Sequence, residues 1–171
     1  MSDVYSPIPE LNSLRELEDR LAGQFFAPGF ELFDYDDGLD WFCGRAEPEY
    51  LERLIYFGRA TSSGSYYALW RCDDRDDLAT LPVIFLGDEG DLYVAARDLR
   101  ELFRLLACEP DDPDDLCPGR GEYLAWLSRE FGLTAPDSTE AVTGPAEEEY
   151  EQRFADWVRL ATNGTVELRV S

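Results

Sequence analysis

Carboxylates are the one reactive group this chain carries in quantity. Thirty-seven Asp and Glu stand against fifteen Arg, with no Lys and no His, and the net charge is −22 over 171 residues. The densest run is Asp73, Asp74, Arg75, Asp76 and Asp77. A second group is Asp88, Glu89 and Asp91, and a third is Asp34, Asp36, Asp37 and Asp40. Unpaired carboxylates are very costly to bury, so the run at 73–77 must lie in a solvated loop. Acid displayed in this way repels phosphate, attracts basic protein surfaces and can gather a hard divalent cation.

The catalytic templates that use such groups do not fit. A Ser or Cys nucleophile needs a base to activate it, and the usual one, His, is missing. No glycine-rich phosphate loop of either common pattern is present. A calcium loop counted from Asp34 fails twice: Gly38 falls one place early and the twelfth residue is Arg45. Paired carboxylates or an oxygen-only Mg²⁺ or Mn²⁺ site have almost no specificity as signals in so acidic a chain. Cys43, Cys72, Cys108 and Cys117 form no Cys-x-x-Cys pair and read as structural thiols. No catalytic residue, metal ligand or cofactor is therefore expected, and the expectation is a binding protein rather than an enzyme.

The same charge limits the partners. There is no basic footprint for nucleic acid, and an anionic membrane surface would repel the chain. A basic protein would be drawn to it, with the long-range field raising the encounter rate. The N-terminal residues lack the charged and apolar regions of a secretory signal, and no run of about 18 apolar residues is present. The expected setting is cytoplasmic, with reduced thiols.

The elements that must position the acids follow from periodicity. Ser13 and Glu16 have capping-box spacing ahead of Leu14, Leu17 and Leu21, which predicts a first helix ended by Gly23. Phe30 and Leu32 alternate with Glu31 and Phe33 as a strand, and Asp36, Asp37 and Gly38 read as a hairpin turn. Strands are expected at 53–60 and at Tyr66–Cys72, joined as a hairpin. The 73–77 acid run comes next, then an apolar strand from Pro82 to Leu86, covered on both faces, a turn at 87–90 and a return strand from Asp91 to Ala95. Asp98 caps a helix striped by Leu99, Leu102, Phe103 and Leu106. After an acidic loop at 109–119, helices are expected over 120–131 and 147–161, separated by a linker with Gly144 and Pro145. Residues 165–170 alternate like a final strand.

The order of Gly64, the aromatic strand Tyr67 to Trp70, the strand Pro82 to Gly87, Gly90 and the stretch Val94 to Leu106 resembles the SMI1/KNR4 family of the SUKH superfamily. The resemblance implies an α+β fold, with a mixed or antiparallel sheet packed against helices. It implies a single domain over 1–171, with its core signal at 51–107 and a helical C-terminal extension, with a candidate final strand, at 108–171. It also implies an immunity protein that binds and neutralises a bacterial toxin; such toxins are diverse, with nucleases common among them, and a nuclease toxin is basic where it holds phosphate. The alternative of the same fold is a regulatory or scaffold module with no toxin partner; an acid-rich metal-dependent enzyme ranks behind both. The expected contact residues are Asp73, Asp74, Asp76 and Asp77, then Asp88, Glu89 and Asp91, joined by Asp36 and Asp37 if the N-terminal hairpin shares their face. Tyr66, Tyr67 and Trp70 are candidate anchors at that rim, with at least half of them expected as buried sheet residues instead, and the expected oligomeric state is a monomer or weak homodimer.

Overall fold

The structure, a computed structural model, describes residues 6–22, 24–27, 30–32, 50, 52–60, 64–87, 92–108, 114, 117–162 and 164. Its elements are α1 (Pro9–Leu21), β1 (Glu31–Leu32), β2 (Leu54–Arg59), β3 (Tyr66–Trp70), a 3-10 turn (Leu78–Thr80), β4 (Val83–Leu86), β5 (Leu92–Ala96), α2 (Leu99–Leu106), α3 (Arg120–Phe131) and α4 (Glu140–Ala161). The strands form one antiparallel sheet in the order β1-β2-β3-β4-β5. The fold is therefore α+β, and the sheet is antiparallel among the described strands rather than mixed.

The sheet is covered on both faces, which explains strands that are apolar at nearly every position. Ile55, Phe57, Leu69 and Val83 face a core built with α1, α2 and α3. Leu54, Tyr56, Ala68, Trp70, Ile84, Leu86 and Val94 face the other way, against Tyr150, Phe154 and Val158 of α4. A bulge between Val83 and Ile84 breaks the β4–β5 register, so Ala95 and Ala96 both turn toward the first core. Burying an aromatic or leucine side chain contributes roughly 1.5–3 kcal/mol, so both layers are needed to stabilise a sheet this apolar.

Two helix starts differ from the expectation. Ser13 and Glu16 do not cap α1; the helix begins one turn earlier, with Pro9 in its first turn after an extended Ile8. Proline is suited to that position because its φ is pre-set and its missing N–H would have no partner there. Asn12 secures the entry by accepting from the Ser6 N–H at 2.8 Å and donating to the Ser6 carbonyl at 2.8 Å. The helix ends with Ala22, not a glycine, in the left-handed region at φ 52°. The last helix also starts early, at Glu140 rather than 147, and contains Pro145. Val142 and Ala146 are both buried, and packing of that first stretch against the cores outweighs the one backbone bond the proline cannot make.

Other local signals hold. The Asp98 carboxylate accepts from the Glu101 N–H at 2.8 Å and starts α2. Gly132 ends α3 at φ 66°. The hairpin turn at 36–38, the turn at 88–90, most of the 109–119 loop and the final strand at 165–170 lie outside the described residues.

Candidate functional site

The loop from β3 to β4 carries Asp73, Asp74, Asp76 and Asp77, all exposed, as their charge requires. The four are not equivalent. Arg75 grips Asp73 by both oxygens: Nε donates to Oδ1 at 2.7 Å and Nη2 to Oδ2 at 2.6 Å, while the Arg75 backbone N–H reaches Oδ1 at 3.1 Å. Two parallel charge-assisted bonds of this kind fix orientation as well as distance. The same guanidinium donates through Nη1 to the Thr80 carbonyl at 2.7 Å and meets the Cys72 sulfur at 3.7 Å. Hydrogen bonding to Arg75 holds the Asp73 carboxyl down at about 2, and Arg75 is in turn pushed up, first by Asp73 and then by Tyr150 of α4.

Asp77 caps the 3-10 turn, accepting from the Ala79 N–H at 3.2 Å, and its carbonyl accepts from the Thr80 hydroxyl at 2.7 Å. Asp74 meets Arg53 Nη1 at 3.3 Å, an exposed pair. Arg153 of α4 donates to the Cys72 carbonyl at 3.5 Å. Among the described residues, Asp76 is the one member of the run whose carboxylate makes no hydrogen bond or ion pair. The run is thus a braced loop, held by its own Arg75 and with arginines from two other parts of the chain around it, not a bare acidic patch. Asp88, Glu89, Asp91, Asp36 and Asp37 lie outside the described residues, so the grouping of the three acidic sets on one face is not observed.

Beside the loop is an open cleft of about 500 Å³, lined by Tyr50, Arg53, Arg71, Cys72, Asp73, Asp74 and Trp157. Arg53 and Arg71 stand side by side where β2 and β3 run out, with the Arg71 N–H donating to the Arg53 carbonyl at 2.7 Å. Tyr50 meets Trp157 edge-on at 6.2 Å, and Trp157 is backed by Phe154 at 5.8 Å and Trp70 at 5.7 Å. Of the three aromatic candidates in the strands, Tyr67 and Trp70 are buried in opposite cores, in line with the expectation for at least half of them, and Tyr66 is half-buried. The aromatics that line this cleft are Tyr50 and Trp157. Burial raises the Cys72 thiol, so it stays protonated and unreactive at neutral pH.

One ionisable group was not among the expected site residues. Glu18 of α1 is mostly buried and accepts from the Leu32 N–H of β1 at 2.9 Å. Burial raises its carboxyl to about 7, against the lowering effects of the Leu32 bond and Arg15. A clue lay in its place on the edge of the stripe formed by Leu14, Leu17 and Leu21, where a docking strand can cover it. Its geometry is that of a structural acceptor for an edge strand. Among the described residues no group of three or more His, Cys, Asp or Glu is placed to hold a metal ion, and no helix is long and apolar enough to cross a membrane. No protein-family model, curated protein or solved structure matches the chain.

Proposed function

We propose that this chain is an immunity-type binding protein, not an enzyme, which neutralises a basic toxin domain by holding it. The observation that carries the reading is the net charge of −22 on 171 residues without a single Lys or His. A field of that sign draws a basic partner from a distance and raises the association rate. The motif resemblance to the SUKH superfamily supports the same reading, and the antiparallel sheet backed by helices suits the role of a rigid platform. The partner is a protein surface that is basic where it binds phosphate; nucleic acid itself would be repelled.

The braced 73–77 loop refines where the attraction acts. With Asp73 held by Arg75 and Asp74 beside Arg53, two of the loop's four carboxylates stand against an arginine, so the loop alone carries only a small part of the chain's negative charge. Steering is therefore assigned to the summed charge of the whole chain. The test is whether a basic toxin domain is encoded beside this chain's gene and associates with the chain, measured by surface plasmon resonance at low and high salt. The expected result is a 1:1 complex whose on-rate falls about tenfold or more as salt rises. No association at low salt would overturn the reading, as would binding whose rate ignores salt.

A further inference from the structure

We propose that the cleft beside the acidic loop is a carboxylate-binding pocket, and that it takes an Asp or Glu side chain presented by the protein partner. The inference rests on the binding-protein reading above and adds a contact of opposite sign to the one that steers encounter.

The first ground is local charge. The chain as a whole carries more than two acids for each Arg. The cleft departs from this: Arg53, Arg71, Asp73 and Asp74 line it, and Arg75 stands against Asp73 from outside the lining. Two lining guanidiniums thus meet two lining carboxylates, one of which Arg75 already holds, in a protein that is otherwise strongly acidic. Asp73 is already engaged through both oxygens by Arg75, so it has little left to offer the two lining arginines.

The second ground is the state of those two arginines. The bond from the Arg71 N–H to the Arg53 carbonyl sets like charges beside each other at the ends of neighbouring strands, an arrangement that is unfavourable without a counter-ion. Arg53 meets Asp74 in a single contact at 3.3 Å, with the Asp74 side chain 95 % exposed. A pair this exposed contributes little and exchanges easily. The Arg71 side chain is exposed and makes no hydrogen bond or ion pair among the described residues. A carboxylate set between the two would accept from both forks, and planar bidentate recognition is what guanidinium does best.

The third ground is the wall. Tyr50 and Trp157 meet edge-on, and Trp157 is held from behind by Phe154 and Trp70. Such a wall accepts the apolar stem of the incoming residue and its neighbours with little ordering cost. Trp, Tyr and Arg are also the residues that dominate binding energy at protein interfaces. The volume of about 500 Å³ holds a side chain with its adjoining backbone but not a folded element. The long-range field brings the partner in, and this cleft fixes its register once it arrives.

The probe is the peptide acetyl-Leu-Glu-Leu-amide, with acetyl-Leu-Gln-Leu-amide as its uncharged match. Each is titrated into the intact chain while the Trp157 indole N–H is followed by NMR. The expected result is that the Glu peptide shifts that signal and binds about tenfold tighter than the Gln peptide. Arg71→Gln should erase the preference with an unchanged melting temperature, and Arg71→Lys should restore part of it. Equal binding of the two peptides, no binding, or a preference that survives Arg71→Gln would overturn the proposal. The toxin complex supplies a separate arm: Arg71→Gln should speed dissociation about tenfold and leave the low-salt on-rate nearly unchanged. Absence of any toxin complex would count against the function proposed above, whereas the peptide arm reads the cleft by itself.

Discussion

Arg75 binds Asp73 through both carboxylate oxygens, at 2.7 and 2.6 Å, and with its other terminal nitrogen reaches the Thr80 carbonyl across the loop. The two residues are separated by one position, so the brace is local, but it fixes the path by which the chain leaves β3 and enters β4. Its electrostatic signature is the depressed carboxyl of Asp73, caused first by hydrogen bonding to Arg75.

That signature gives a prediction with a defined sign. Asp73 titrates near 2 in the fold against an ordinary 3.8, so its contribution is fully present above the ordinary value and is lost as pH falls toward 2. At about pH 3, NMR of the side-chain carboxyl should show Asp73 still mostly ionised in the parent chain. In Arg75→Gln it should be mostly protonated under the same conditions. The part of the stability difference between the two chains that depends on pH should be flat above about pH 5 and shrink below about pH 4. An Asp73 midpoint that does not move in Arg75→Gln would show that the brace does not set the charge.

Glu18 behaves in the opposite sense. Its carboxyl is raised from 4.5 to about 7, mainly by burial, so the folded chain binds this proton more tightly than the unfolded one does. Stability from this group is full below 4.5, falls as pH rises toward 7 and is level above that. A shift of this size corresponds to about 3 kcal/mol, since one pKa unit is about 1.4 kcal/mol. Glu18→Gln keeps an oxygen for the Leu32 N–H and removes the buried charge. The variant should therefore be more stable than the parent at pH 8, by up to about 3 kcal/mol in urea denaturation, with the gain fading below about pH 5. A gain that is the same at both pH values would place its origin in packing instead.

How much of this was legible in the sequence depended on whether the deciding contact was local. Tyr66 to Trp70 and Val83 to Leu86 read correctly as strands because their runs are short, apolar and bounded by turns. Asp98 and Gly132 act within one turn of helix, so their spacing was enough. Ser13 has the spacing of a cap, yet it lies inside α1 and accepts from the Trp126 indole N–H at 3.0 Å, a partner 113 positions away. Pro145 reads as a break, yet burial of Val142 and Ala146 carries α4 past it. The acid run was visible at once, whereas Arg53 and Arg153, which come to it from 20 and more positions away, became neighbours only through the fold. Glu18 is an ordinary helix residue until β1 covers it.

Two glycines at the start of α3 should answer the same substitution in opposite directions. The Gly119 N–H donates to the Phe25 carbonyl at 2.9 Å, which draws the two segments into contact. A Cβ at Gly119 would sit 3.0 Å from that carbonyl oxygen and 2.9 Å from the Leu21 Cδ1. The leucine methyl can turn aside, but the carbonyl is backbone and is held by the bond itself. Gly119→Ala should therefore cost about 1–3 kcal/mol, the range for overpacking against a fixed wall. Gly121, two residues on, is exposed, helical and has nothing within 4 Å of the added carbon. There the alanine removes backbone freedom from the unfolded chain without strain, and Gly121→Ala should gain roughly 0.5–1 kcal/mol. Urea denaturation of the two variants beside the parent decides the matter: midpoints that move the same way would mean that α3 is not docked on the Leu21–Phe25 segment as described.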